Sequence, residues 1–95
     1  MASTLLRAGS GAYQEVLTPT LDPSSINANS ISVETFTVTG VNVDTLYKVD
    51  APNLEAGLFI LGATCATANV LTISIWNSTN ASVNPASQVF RVIGL

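Results

Sequence analysis

At 95 residues and 9.8 kDa the chain has room for one domain and one core. Apolar residues make up 47% of it and charged residues only 9%, against roughly 25% in ordinary soluble domains, with Ser, Thr and Asn supplying the polarity. No His, one Cys (Cys65), three basic residues (Arg7, Lys48, Arg91) and a net charge of −3 argue against His-based catalysis, zinc, an internal disulfide and nucleic-acid binding.

Residues 1–30 carry no sustained period. Gly9, Gly11, Pro19, Pro23 and the small polar residues from Ser24 to Ser30 interrupt every element, although Tyr13–Leu17 can form one short strand. The segment still carries Leu5, Leu6, Tyr13, Val16, Leu17, Leu21 and Ile26, too many apolar anchors for a purely solvated tail. It reads as an extended arm that orders against a neighbour. The start of the chain lacks the apolar stretch of about 7–15 residues that a signal peptide needs.

From Ile31 to Leu95 the pattern is that of a β domain. The first run, Ile31 to Thr39, places Ile31 and Val33 on one face but Phe36 and Val38 on the other. That switch calls for a bulge near Glu34–Thr35 or for two separate contacts. The second run, Val43 to Val49, points Val43, Tyr47 and Val49 one way and Asp44, Lys48 and Asp50 the other. Pro52 ends it. The third, Leu58 to Cys65, is apolar on both faces, so Cys65 is expected to be buried. A turn over 66–69 leads to the fourth run, Val70 to Trp76, in which Leu71, Ile73 and Ile75 alternate with Thr72 and Ser74. The polar loop 77–85 precedes the last run, Gln88 to Ile93, where Phe90 and Val92 oppose Arg91. The fold expected is a compact antiparallel β-sandwich, jelly-roll-like, with the arm over 1–30 and the sandwich over 31–95.

Ala56 to Ile75 is long enough to span a membrane, but five Thr, Asn and Ser residues interrupt it and no basic cluster flanks it. Two strands and a turn account for it better. Between Glu55 and Arg91 lie 35 consecutive uncharged positions, so two or three strands bear no charge on either face. Soluble monomers keep charges on exposed strands, and their absence points to a surface covered in an assembly.

Nothing here assembles into chemistry. Asn77-Ser78-Thr79 and Asn80-Ala81-Ser82 match the glycosylation pattern but lack a secretory context. Asp44, Asp50 and Glu55 are the only acidic cluster, without calcium-loop spacing. Cys65 has no His to serve as its base. No enzyme, cofactor or metal is expected.

The stretch Ala68-Asn69-Val70-Leu71-Thr72-Ile73-Ser74-Ile75-Trp76-Asn77-Ser78-Thr79, followed by Asn84-Pro85-Ala86-Ser87-Gln88-Val89-Phe90-Arg91-Val92, resembles a pattern in small β-sandwich structural proteins of tailed bacteriophages. Val38-Thr39-Gly40-Val41-Asn42-Val43-Asp44-Thr45 resembles the start of the same domain, with Val43 where a Gly often precedes the Asp. Within the motif, Asn77 and Thr79 are suited to bond their own backbone and shape the next loop, and Pro85 to fix re-entry into the last strand. The resemblance implies a virion component, synthesised in the bacterial cytoplasm and placed on the capsid surface. Its first expected role is a decoration or cement protein bound to the major capsid protein and to itself, a trimer being the natural guess. The alternative is a host-recognition or structural module of a head or tail fibre. Leu5, Leu6, Tyr13, Leu17 and Leu21 of the arm, with Ile31 and Val33, are the candidate subunit or capsid contacts. Neither nucleic acid nor membrane is an expected partner.

Overall fold

The computed structural model describes residues 15–95; Leu5, Leu6 and Tyr13 lie outside the described residues. The chain is all-β, antiparallel and sandwich-like: β1 (Glu15–Leu17), β2 (Thr20–Leu21), β3 (Ser30–Thr37), β4 (Tyr47–Asp50), β5 (Leu58–Thr67), β6 (Val70–Asn77), β7 (Gln88–Val89) and β8 (Arg91–Gly94). Six strands form one sheet in the order β1-β8-β4-β5-β6-β3, and β2 pairs with β7 in a second, small sheet. No helix among the described residues is long and apolar enough to cross a membrane.

The core lies on one side of the large sheet. Alternation in β6 sends Leu71, Ile73, Ile75 and Asn77 inward, where Tyr47 and Val49 of β4, Leu58 of β5 and Val92 of β8 meet them. Leu21, Ile26 and Phe90 cover this cluster from the other side. As expected, Phe90 and Val92 are fully buried while Arg91 points outward, 3.4 Å from Asp50.

Residues 15–26, which the sequence reading assigned to the arm, are part of this fold. They run antiparallel to residues 83–94 in a single register: Leu17 opposite Val92, Thr20 opposite Val89, Leu21 opposite Gln88 and Ile26 opposite Val83. Pro19 does not break the ribbon. It lacks an N–H, but its carbonyl still accepts a hydrogen bond from Phe90 N–H at 2.8 Å, and the chain passes there from the large sheet to the small one. Short-range signals announced a breaker, and long-range pairing absorbed it.

Two further local expectations change. No bulge interrupts β3, which pairs with β6 without a slip from Ser30–Asn77 to Thr37–Val70. Its apolar residues face both ways because Phe36 packs inward while Ile31 and Val33 point to solvent, the second option that the pattern allowed. The register slips lie in β5, at Leu61 and between Thr64 and Thr67. The run at 43–49 also shortens: Val43 is exposed in a loop, and only Tyr47–Asp50 pairs.

Candidate functional site

The described residues hold no cluster of three or more His, Cys, Asp or Glu able to hold a metal. The three acidic residues grouped in the sequence have separate tasks. Asp50 sits beside Arg91, and Asp44 lies in a loop closed by Asn42, whose Oδ1 accepts from the Asp44 N–H and the Thr45 hydroxyl. Glu55 accepts from the Ala86 N–H at 2.7 Å and from Gln88 Nε2 at 3.2 Å, tying the loop before β5 to the re-entry at Pro85. The Ala86 N–H holds the Glu55 carboxyl below its ordinary value, with Gln88 helping and partial desolvation opposing. Cys65 is only half-buried, and its thiol donates to the Thr67 carbonyl. These are structural arrangements.

Asn77 is the best-connected polar group. It is wholly buried, and its Nδ2 lies 3.0 Å from the Ile26 carbonyl, 3.2 Å from that of Asn27 and 2.9 Å from that of Ala81. Its Oδ1 accepts from the Thr79 N–H and hydroxyl, so the pair shapes the following loop as the motif suggested. The same bonds fasten residues 26–27 to the end of β6. The neighbouring turn at Gly57 (φ +85°) accepts no side chain, because a Cβ there would collide with Thr79. Burial also removes Asn77 as a glycosylation acceptor.

The outer face of β3, β6 and β5 is the feature without a structural task. Across it Ile31 opposes Trp76, and Trp76 opposes Phe59. The Phe59 and Trp76 rings tilt together with centroids 5.6 Å apart. One step along, Val33 opposes Ser74, and Ser74 opposes Gly62. The slip at Leu61 gives β5 an extra residue there, so Leu61 and Gly62 both face out. Ile31, Val33, Phe59, Leu61 and Trp76 are between 41% and 67% exposed, where a chain of this composition would normally show Thr or charge. Thr35, Thr72 and Thr64 extend the face toward the β5–β6 turn. A shallow groove of about 360 Å³ runs over it, lined by Ile31, Leu61, Gly62, Thr64, Thr72 and Ser74 among others. No Asp, Glu, Lys or Arg points to this side from the three strands. The one charged residue in them, Glu34, turns to the inner side and accepts from the Ser24 N–H and hydroxyl.

Of the sequence-predicted contacts, Ile31 and Val33 stand on this face. Leu21 is buried in the core by its pairing with β7, and Leu17, paired with β8, is half-buried against it. Phe59 and Leu61 carry no such expectation. The charge-free run contained their signal, but a strand apolar on both sides looked buried on both. No protein-family model, curated protein or solved structure matches the chain.

Proposed function

We propose that the chain is a non-enzymatic structural protein of a virus particle, a decoration or cement protein that docks on the coat lattice of a tailed phage. The observation that carries this reading is the uncharged, partly apolar outer face of β3, β6 and β5. Strands about 4.8 Å apart and residues rising about 3.4 Å give that face a projected footprint on the order of 400 Å². Its apolar part, Ile31, Val33, Phe59, Leu61 and Trp76, lies within the range of the largest apolar patch on a soluble monomer, about 300–600 Å², and such patches are often functional. A standard interface takes about 800 Å² per partner, so the face supplies about half, and the apolar residues of 1–14 are the natural supplement. The likeness of residues 31–95 to phage structural proteins supports the choice of particle.

The test is add-back to purified particles lacking the protein, followed by electron microscopy. The intact chain should restore regular density on the shell, and a Val33→Lys, Leu61→Lys double variant should not. Equal occupancy by both proteins would remove the face from the contact and the reading with it. A second reading, a host-recognition module of a fibre, is favoured by the exposed Phe59–Trp76 pair, because aromatic platforms bind sugars by stacking. Copy number per particle separates the two: hundreds for decoration, a handful for a fibre.

A further inference from the structure

β3 is an edge strand of the large sheet, and apart from the inward-turned Glu34 the devices that usually protect an edge are missing from it. It has eight residues, no Pro, no Lys and no bulge. The opposite edge, β1, is three residues long. The direction of the free backbone groups follows from the ladder. Val38 N–H donates to the Asn69 carbonyl, continuing the β3–β6 register, so residues of even number bond to β6 and those of odd number turn away. Ile31, Val33, Thr35 and Thr37 therefore present N–H and C=O to the open side. Among the described residues no backbone group outside the β3–β6 ladder bonds to them.

We propose that this edge pairs with the same edge of a second copy, antiparallel about a two-fold axis at Val33, giving one sheet continuous across a dimer. Charge selects the occupant and rules out the register centred on Glu34, and a centre at Val33 puts the most apolar part of the open edge at the axis. The open edge has one charged residue, Glu34, and offers no cation for an acidic partner strand and no acidic row for a basic one. An uncharged strand with free odd-numbered groups fits it, and β3 itself is such a strand. Placing Val33 opposite Val33 of the second copy sets Ile31 against Thr35 and Glu34 against Ser32. A shift by two positions would set Glu34 directly against Glu34, which is unfavourable for like charges across strands. The favoured register also joins the two outer faces into one apolar surface, with Val33 at its centre. The pairing gives self-association a two-fold symmetry in place of the three-fold guess, and it holds whatever the outer face docks on.

The experiment is sedimentation equilibrium of the full chain at up to about 0.5 mM, where contacts as weak as about 1 mM are partly populated. A dimer is expected, and Thr35→Pro should return the monomer with an unchanged melting curve, because it removes an N–H that β6 does not use. Independently of that variant, Val33→Cys in a Cys65→Ser background should form a disulfide-linked dimer under mild oxidation. In the same background Thr35→Cys should not, since its counterpart lies four residues away along the strand, beyond disulfide reach. A strictly monomeric chain, or cross-linking at Thr35 in preference to Val33, overturns the proposal. So does a dimer that appears only after residues 1–14 are removed, which would give the edge to the chain's own N-terminal segment.

Discussion

The two faces of β6 differ in what covers them, far more than in charge. Leu71, Ile73 and Ile75 on the inner side are at most 2% exposed, while Trp76 on the outer side is 41% exposed beside Ile31 and Phe59. Neither face carries a charge. The inner one is closed by the ribbon of residues 15–26 and 83–94, which lays Leu21, Ile26 and Phe90 over it, and among the described residues nothing closes the outer one. Alternation along a strand tells which side chains travel together. Which group is buried depends on whether another segment returns to cover it.

The sharpest way to break this comparison is to remove the cover. Deleting residues 1–23 takes away β1, β2, Leu17 and Leu21, exposing Phe90 and the inner row of β6. A domain of this size has only about 5–15 kcal/mol of stability, so the truncated chain should lose its cooperative thermal transition. Deleting residues 1–14 should leave that transition in place, because every strand of the described residues survives. A truncation at residue 23 that melts like the intact protein would mean the ribbon is an accessory to a core that stands without it.

Next in size is the fastening of the cover. Asn77→Ala leaves the Asn27 carbonyl and the Thr79 N–H without their partner inside the fold and takes one of two donors from the carbonyls of Ile26 and Ala81, which keep the Val83 N–H and the Thr79 hydroxyl. At about 1 kcal/mol for each group left without a partner, plus the loss of the buried amide's own bonds, a loss of about 2–3 kcal/mol in chemical denaturation is expected. Asn77→Asp should recover little of it, since a carboxylate cannot donate to the three carbonyls. A loss under about 1 kcal/mol would show that water replaces the amide without penalty.

Much of this arrangement was legible in the sequence. Turn chemistry at 66–69 and alternation from Leu71 to Ile75 place β5 and β6 to within two residues, because each depends on neighbours a few positions away, whereas the single run expected over Gln88–Ile93 divides at Phe90 into β7 and β8, which belong to different sheets. What escaped depends on partners far along the chain. Leu17 finds Val92 and Ile26 finds Val83 across more than fifty positions, so Pro19 and Pro23 are poor guides to residues 15–26, which pair with the last strands where an arm is expected. The candidate face was half legible. The charge-free run from 56 to 90 announced an unusual surface, and Ile31 and Val33 were placed on it. Phe59 is hidden because its strand is apolar on both faces, and Leu61 by a slip in β5 that no local residue signals.

A paired substitution sharpens the contrast between the faces. Ile73→Thr sets a hydroxyl in the core, on the inner row between Leu71 and Ile75 and opposite Ala63, and should lower stability by about 2–3 kcal/mol. Val33→Thr, the same chemistry on the outer face, should change stability by less than about 0.5 kcal/mol, because the site is already wet. Its effect belongs in the binding assays. Comparable losses from the two would mean that the outer face is packed within the isolated chain.

The smallest effect concerns pH and the loop that carries the ribbon back to the sheet. Glu55 is the one carboxylate whose affinity for protons is clearly lowered, chiefly by the Ala86 N–H. A lowered value in the folded state means that folding favours the ionised form. The stabilisation is therefore complete above the unfolded value near 4.5 and fades as pH falls through the lower folded value. The group is open to solvent, so screening keeps the contribution small. Urea midpoints measured from pH 6 down to pH 3 should fall for the intact chain, and part of that fall should vanish in Glu55→Gln, which keeps an acceptor for Ala86 but cannot titrate. If the two curves are parallel throughout, Glu55 does not link protonation to folding, and the re-entry at Pro85 is held by the backbone alone.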